Sequence, residues 1–190
     1  RTGALTIFGT SNWRALVHDP SAHSDVALAL AFSATGDYLA SGGADRFVRV
    51  WRARDLATER AFEGHSGYVY SLGWAGDDRR LVSAAADGRA MIWDREVGAR
   101  SASFEISGQE GVYAGFRGEG QRVLAVGSAP STREFTLDGK ARIRYEGARD
   151  YLSAGAQDAW GRRFVAGGYA GTLWLWEGDK EYPVATFSVD

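Results

Sequence analysis

Glu63-Gly64-His65, then Asp87-Gly88, then Ile92-Trp93-Asp94 decide how this chain folds, because their spacing occurs a second time, one unit earlier. His65 precedes Asp87 by 22 residues, and His23 precedes Asp45 by the same 22, with the two units 42 residues apart. A Trp follows each Asp by six positions (Trp51, Trp93), and a Ser precedes each by four (Ser41, Ser83). Several residue types repeated at the same offsets mark a structural repeat.

Inside each unit the apolar pattern is that of strands. Val26 to Phe32 is an apolar run read as a buried inner strand, Ala34-Thr35-Gly36-Asp37 makes a turn, and Tyr38 to Gly42 forms a second strand. After the turn at 43–46, Phe47-Val48-Arg49-Val50-Trp51 alternates as a half-buried third strand, and Thr58 to Phe62 is a shorter outer one. The second unit repeats this with Val69 to Trp74, Arg80 to Ala84, Ala90 to Trp93 and Arg100 to Ile106. No long window carries a comparable helical stripe, and Asp/Gly turns recur at short intervals, so the chain reads as all-β.

The third unit is degenerate. Gly111 to Phe116 and Arg122 to Gly127 fit as strands, while Pro130 is read at the Asp position and Thr136 at the Trp position. The fourth recovers Phe164 to Gly168, Leu173 to Trp176 and an outer strand from Val184 to Val189, with Ala148, Ala166 and Ala170 replacing His, Ser and Asp. The first residues also fall into register: Ala4 to Phe8 as a third strand, Trp13 to His18 as an outer one.

On these residues the chain resembles the WD-repeat β-propeller family over essentially its whole length. The Gly-His, turn Asp and Trp-Asp elements are matched by Gly64-His65, Asp87 and Trp93-Asp94, although the first unit ends Trp51-Arg52. The resemblance implies four-stranded antiparallel blades set radially around a channel. About four and a half blades are expected: a half blade at 1–22 and blades at 23–64, 65–107, 108–147 (degenerate) and 148–190. A seven-bladed ring would need roughly 290 residues. The expectation is therefore the C-terminal part of a larger propeller, with the missing blades upstream. Interrupted rings expose apolar faces and unpaired strands, so completion by a second copy is a further structural alternative.

Composition narrows the function. A formal charge of −2 argues against a general nucleic-acid surface. With no Cys and three His there is no thiolate site and little material for a metal centre. No apolar run is long enough to span a bilayer as a helix, and no signal-peptide pattern opens the chain, so a cytoplasmic location without membrane contact is expected. The basic residues are nearly all Arg, which together with abundant Ala and Gly suggests a GC-rich, bacterial source.

His, Ser and Asp in one repeat also invite a hydrolase reading, and pooled carboxylates a metal site in the channel. The resemblance implies otherwise: His23, Ser41, Asp45 and Trp51, then His65, Ser83, Asp87 and Trp93, form structural hydrogen-bond networks within blades. No catalytic, cofactor-binding or metal residue is assigned, and no cofactor is expected. Short Gly-rich pieces such as Ser41-Gly42-Gly43 open no helix and serve as sheet turns.

In the family, partner surfaces often form on the face carrying the loop before each first strand and the turn before each third. The first position maps to Val26, Tyr68 and Tyr151, and in the third blade to either Glu110 or Gly111. The residue before the turn Asp maps to Ala44, Ala86, Ala129 and Tyr169. Val26, Tyr68, Tyr151 and Tyr169 are thus partner-binding candidates. The expected function is a non-catalytic scaffold or sensor region of a larger signalling or effector protein. Its partners would be other proteins or upstream domains of its own polypeptide.

Overall fold

The computed structural model describes residues 3–106, 109–129 and 131–188. Arg1, Pro130 and Val189, which enter the sequence reading, lie outside the described residues. Four sheets have four antiparallel strands each and one has two. The two-stranded sheet comprises β1 (Gly3–Phe8) and β2 (Ala15–His23). The first full sheet holds β3 (Ala27–Phe32), β4 (Tyr38–Gly43), β5 (Val48–Arg52) and β6 (Thr58–Phe62). The second holds β7 (Val69–Trp74), β8 (Arg80–Ala85), β9 (Arg89–Asp94) and β10 (Ala99–Glu105). The third holds β11 (Gly111–Arg117), β12 (Arg122–Gly127), β13 (Ser131–Thr136) and β14 (Ala141–Tyr145). The fourth holds β15 (Leu152–Gln157), β16 (Arg163–Gly168), β17 (Thr172–Glu177) and β18 (Ala185–Ser188). No described residue is helical. The fold is all-β, built of propeller blades.

Each full sheet runs up and down in chain order, as short turns require. The inner strands share one irregularity: the pairing slips between Ala27 and Ala29, Val69 and Ser71, Gly111 and Tyr113, and Leu152 and Ala154. A bulge at the same place in each of these four strands adds local twist there.

The core lies between sheets. Val82, Ala84, Ile92 and Phe104 of the second sheet pack with Ala114, Phe116, Val123 and Phe135 of the third. Val48, Val50 and Phe62 of the first pack with Leu81, Met91 and Trp93 of the second, the Phe62 and Trp93 rings stacking at 5.2 Å. Turns at one end stitch neighbours together. Asp78 accepts from the backbone N–H of Ala34 (2.7 Å) and Thr35 (3.2 Å), while Arg80 donates to the Gly120 carbonyl and Arg117 to that of Gly161.

Three sequence expectations need correction. The strand at 26–32 is not a buried inner strand: Leu28, Leu30 and Phe32 are 43%, 59% and 55% exposed. The adjoining sheet has only β1 and β2, so nothing among the described residues covers that side. The outer strand expected at 13–18 instead runs to His23, which pairs with Gly3. In the third sheet the Trp position is filled by Phe135, not Thr136. Phe135 pairs with Val123 as Trp51 pairs with Leu39 and Trp93 with Leu81. The blade keeps the 42-residue step from Trp93; reading Thr136 at that position places it one residue late, in a segment without landmarks.

Candidate functional site

The loops before β3, β7, β11 and β15 lie beside the turns before β5, β9, β13 and β17. One backbone hydrogen bond recurs in all four blades. The N–H groups of Ala44, Ala86, Ser128 and Tyr169 donate to the carbonyls of Val26, Tyr68, Glu110 and Tyr151, at 2.8, 2.8, 2.8 and 3.0 Å. This bond settles the third blade: Glu110, not Gly111, matches the tyrosines, and Ser128, not Ala129, matches Tyr169.

Behind this face sit two side-chain chains. In the second blade the Trp93 indole donates to Ser83 Oγ (2.8 Å), Ser83 meets His65 Nε2 (2.7 Å), and His65 Nδ1 meets Asp87 Oδ2 (2.8 Å). The first blade repeats it with Trp51 to Ser41 (2.8 Å), Ser41 to His23 Nε2 (2.6 Å) and His23 Nδ1 to Asp45 (2.9 Å). One donor order satisfies every group: indole N–H to serine oxygen, serine O–H to Nε2, and Nδ1–H to carboxylate. Each Asp also ties the loop to the turn. Asp45 accepts from the N–H of Ser24 and Phe47, and Asp87 from those of Ser66 and Arg89. A Cβ on Gly43 would come within 2.8 Å of His23 Nδ1, so that turn needs a glycine for the ring to approach.

Arg49 Nη1 lies 2.7 Å from both Asp45 Oδ2 and His23 Nδ1. A guanidinium offers only donors. With Nδ1 donating to Asp45, its hydrogen bond goes to the carboxylate. Burial pushes the His23 imidazole below its ordinary range against the pull of Asp45. Burial pushes the Asp45 carboxyl up, but its bonds from His23 and Arg49 outweigh this and hold it low. Asp87 is likewise held low, its burial outweighed chiefly by His65.

The Ser–His–Asp distances are those of a hydrolytic triad, yet the chemistry does not follow. A nucleophile must meet substrate, and Ser41 and Ser83 are fully buried. Each serine oxygen already accepts an indole N–H. Among the described residues no cluster of His, Asp and Glu is arranged to hold a metal ion.

Blades three and four reach the same ends with other residues. In the fourth, the Trp176 indole donates to the Glu146 carbonyl at 3.1 Å. Asp150, in the loop instead of the turn, accepts from the N–H of Tyr151 and Ala170. In the third, fully buried Glu134 receives Arg117 and Arg122, each at 2.9 Å, together with Arg142. Arg117 also donates to the Tyr145 hydroxyl (2.7 Å) and the Gly178 carbonyl (3.1 Å), joining the third blade to the fourth.

The model of the WD domain, G-beta repeat, matches residues 14–52 and 57–94. The chain carries WD40 repeats. The match spans the two blades that contain complete His–Ser–Asp–Trp sets; the Phe135 blade and the Trp176 blade lie outside the matched residues. A U3 snoRNP-associated protein-like chain of Arabidopsis thaliana is 30% identical over 85% of this chain and 33% of its own length. Human Striatin-4 is 33% identical over 41% of this chain and 12% of its own. A guanine nucleotide-binding protein subunit beta of Arabidopsis thaliana is 32% identical over 47% and 24% respectively. The WD40 chain thus spans a third or less of each of these relatives. WD-repeat proteins generally mediate protein–protein interaction.

Of the sequence-derived candidates, Tyr68, Tyr151 and Tyr169 are 50%, 39% and 75% exposed. The Tyr151 and Tyr169 rings meet edge to face at 5.3 Å, and Tyr68 meets Tyr70 in the same manner at 6.5 Å. Val26 is partly exposed in the first blade and, like Tyr68, does not line the pocket that Tyr70, Tyr151 and Tyr169 share. Sequence reasoning missed Tyr70, which sits in β7 where no repeat landmark falls. It left Glu110 undecided because the third blade has no His to count from.

Proposed function

We propose that this WD40 chain is a non-catalytic interaction platform whose partner docks on the loop face bearing Tyr68, Tyr151 and Tyr169. One contrast carries the reading. The side chains able to do chemistry on this face are consumed by internal hydrogen bonds, while its aromatic side chains stand in solvent. Exposed tyrosines on a rigid sheet end supply contact area with little ordering cost. The platform is proposed to be a sensor or scaffold region of a larger signalling or effector protein, acting on other proteins or on domains of its own polypeptide. The lengths of the relatives support membership in a longer chain. The bacterial source suggested by composition draws no support from the relatives named above, which are eukaryotic.

The test places a photoreactive phenylalanine analogue at Tyr169 and, as a control, at Lys180 on the opposite end. Crosslinking in native extract is expected to yield a discrete protein adduct at position 169 and none at 180. Equal labelling at both positions would remove the docking face. A His65→Ala variant should lose thermal stability; loss of a hydrolytic activity with unchanged melting would return the chain to the enzymes.

The open side of β3 supports a second proposal, that further strands complete the ring. Leu5, Ile7 and Phe8 with Leu30, Phe32 and Leu39 line a groove of about 200 Å³ between β1 and β3. A second copy of the chain or another part of its polypeptide would fill it.

A further inference from the structure

Glu110 occupies, in the third blade, the place that Tyr68 and Tyr151 occupy in the blades on either side, as the recurring backbone bond shows. A carboxylate therefore stands between two tyrosines on one face. The Tyr151 hydroxyl donates to Glu110 Oε2 at 2.9 Å, and the Tyr70 hydroxyl approaches Oε1 at 3.5 Å. Burial, and then the Glu110 charge, push the Tyr70 phenol up, so it remains a neutral donor. Phenols orient the carboxylate without cancelling its charge. Tyr169 packs edge-on against Tyr151, and Val112 and Leu152 contribute to the lining of the resulting cavity of about 360 Å³.

An acidic oxygen among aromatic rings has one well-matched ligand chemistry. A cation is drawn to ring faces by the quadrupole and to the carboxylate by charge, and both attractions strengthen as water is excluded. A neutral apolar side chain would instead strip solvent from the carboxylate without return. An anion would be repelled.

We propose that the pocket formed by Tyr70, Glu110, Tyr151 and Tyr169 receives the cationic side chain of an arginine or lysine presented by a partner polypeptide. This rests on the docking-face reading above and specifies the chemistry of the partner. Tyr169, the most exposed of the four, forms the outer wall. Tyr151 holds the carboxylate in place.

The test uses the 190-residue chain and three blocked pentapeptides, Gly-Gly-X-Gly-Gly, with X as arginine, lysine or citrulline, the neutral isostere of arginine. Binding is followed by NMR titration of backbone resonances. The arginine or the lysine peptide is expected to shift signals at 110, 151 and 169 with affinity at least roughly tenfold above the citrulline peptide. Whichever binds tighter identifies the side chain. Glu110→Gln should erase that preference, and Tyr169→Ala, at an exposed position, should weaken binding without altering the melting temperature. If Glu110→Gln fails to fold, loss of the preference at high salt reads the same charge. Citrulline binding as tightly as arginine and lysine would overturn the cation pocket while leaving the docking face standing. No shift with any peptide at millimolar concentration would also overturn it; the position-169 crosslink then decides the docking face separately.

Discussion

The indole N–H groups of Trp51 and Trp93 lie out of reach of water, and each donates to a serine committed in turn to a histidine. Buried donors of this kind cost about 1–3 kcal/mol when left unpaired, which is why the four residues travel together. The network also sets a pH response. His23 binds its proton more weakly in the folded chain than in the unfolded one, because burial penalises the imidazolium. The unfolded state therefore takes up a proton first, and stability falls as pH drops through about 6.5. Asp45 and Asp87 titrate low when folded, so their contribution is whole above the unfolded carboxylate value of about 4 and is lost as pH falls through their folded values. Chemical denaturation at stepped pH should show stability declining in two stages on acidification. A flat profile between pH 7 and 5 would contradict the His23 assignment. The Trp–Ser–His–Asp sets were legible in the sequence because both copies keep the same offsets. Arg49 was not, since its counterpart 42 residues on is Met91.

Among the elements, β13 shows how a blade without the His–Ser–Asp set is held. Its Glu134 is fully buried and meets Arg117 from β11, Arg122 from β12 and Arg142 from β14. Arg117 extends the bonding to the Gly161 and Gly178 carbonyls beside the fourth sheet, and Arg122 and Arg142 reach Asp179 there. Removing one member of a buried ion network strands the others. Glu134→Ala should destabilise by about 3–5 kcal/mol, read by urea denaturation, whereas a change at the exposed pair of Lys140 and Asp138 should move stability little. A loss under about 1 kcal/mol for Glu134→Ala would show the network to be dispensable. Strand positions were readable from apolar alternation. This latch was not, because Arg117 and Glu134 read in sequence as ordinary polar residues and only strand pairing brings them together.

For the molecule as a whole, the decisive surface is the uncovered side of β3. Phe8, Leu30 and Phe32 are each more than half exposed, and among the described residues β1 pairs with β2 alone. Clustered apolar surface beside an open strand edge drives association. Sedimentation of the 190-residue chain should reveal concentration-dependent self-association. A Leu30→Lys, Phe32→Glu double variant should abolish it with unchanged circular dichroism. Strictly monomeric behaviour of the parent chain at all concentrations would refute this.

The sequence alone determined the blade, because a strand's period of two and a 42-residue repeat are local properties that survive without any neighbour. Repeat position also pointed to Tyr68, Tyr151 and Tyr169, but tertiary structure alone decided which residues stand beside them. The third blade's register, the Glu134 latch and the Tyr70–Glu110–Tyr151 pocket all join residues from separate strands or blades. Contacts across sheets follow from how blades stack, and stacking leaves no periodic trace in the chain.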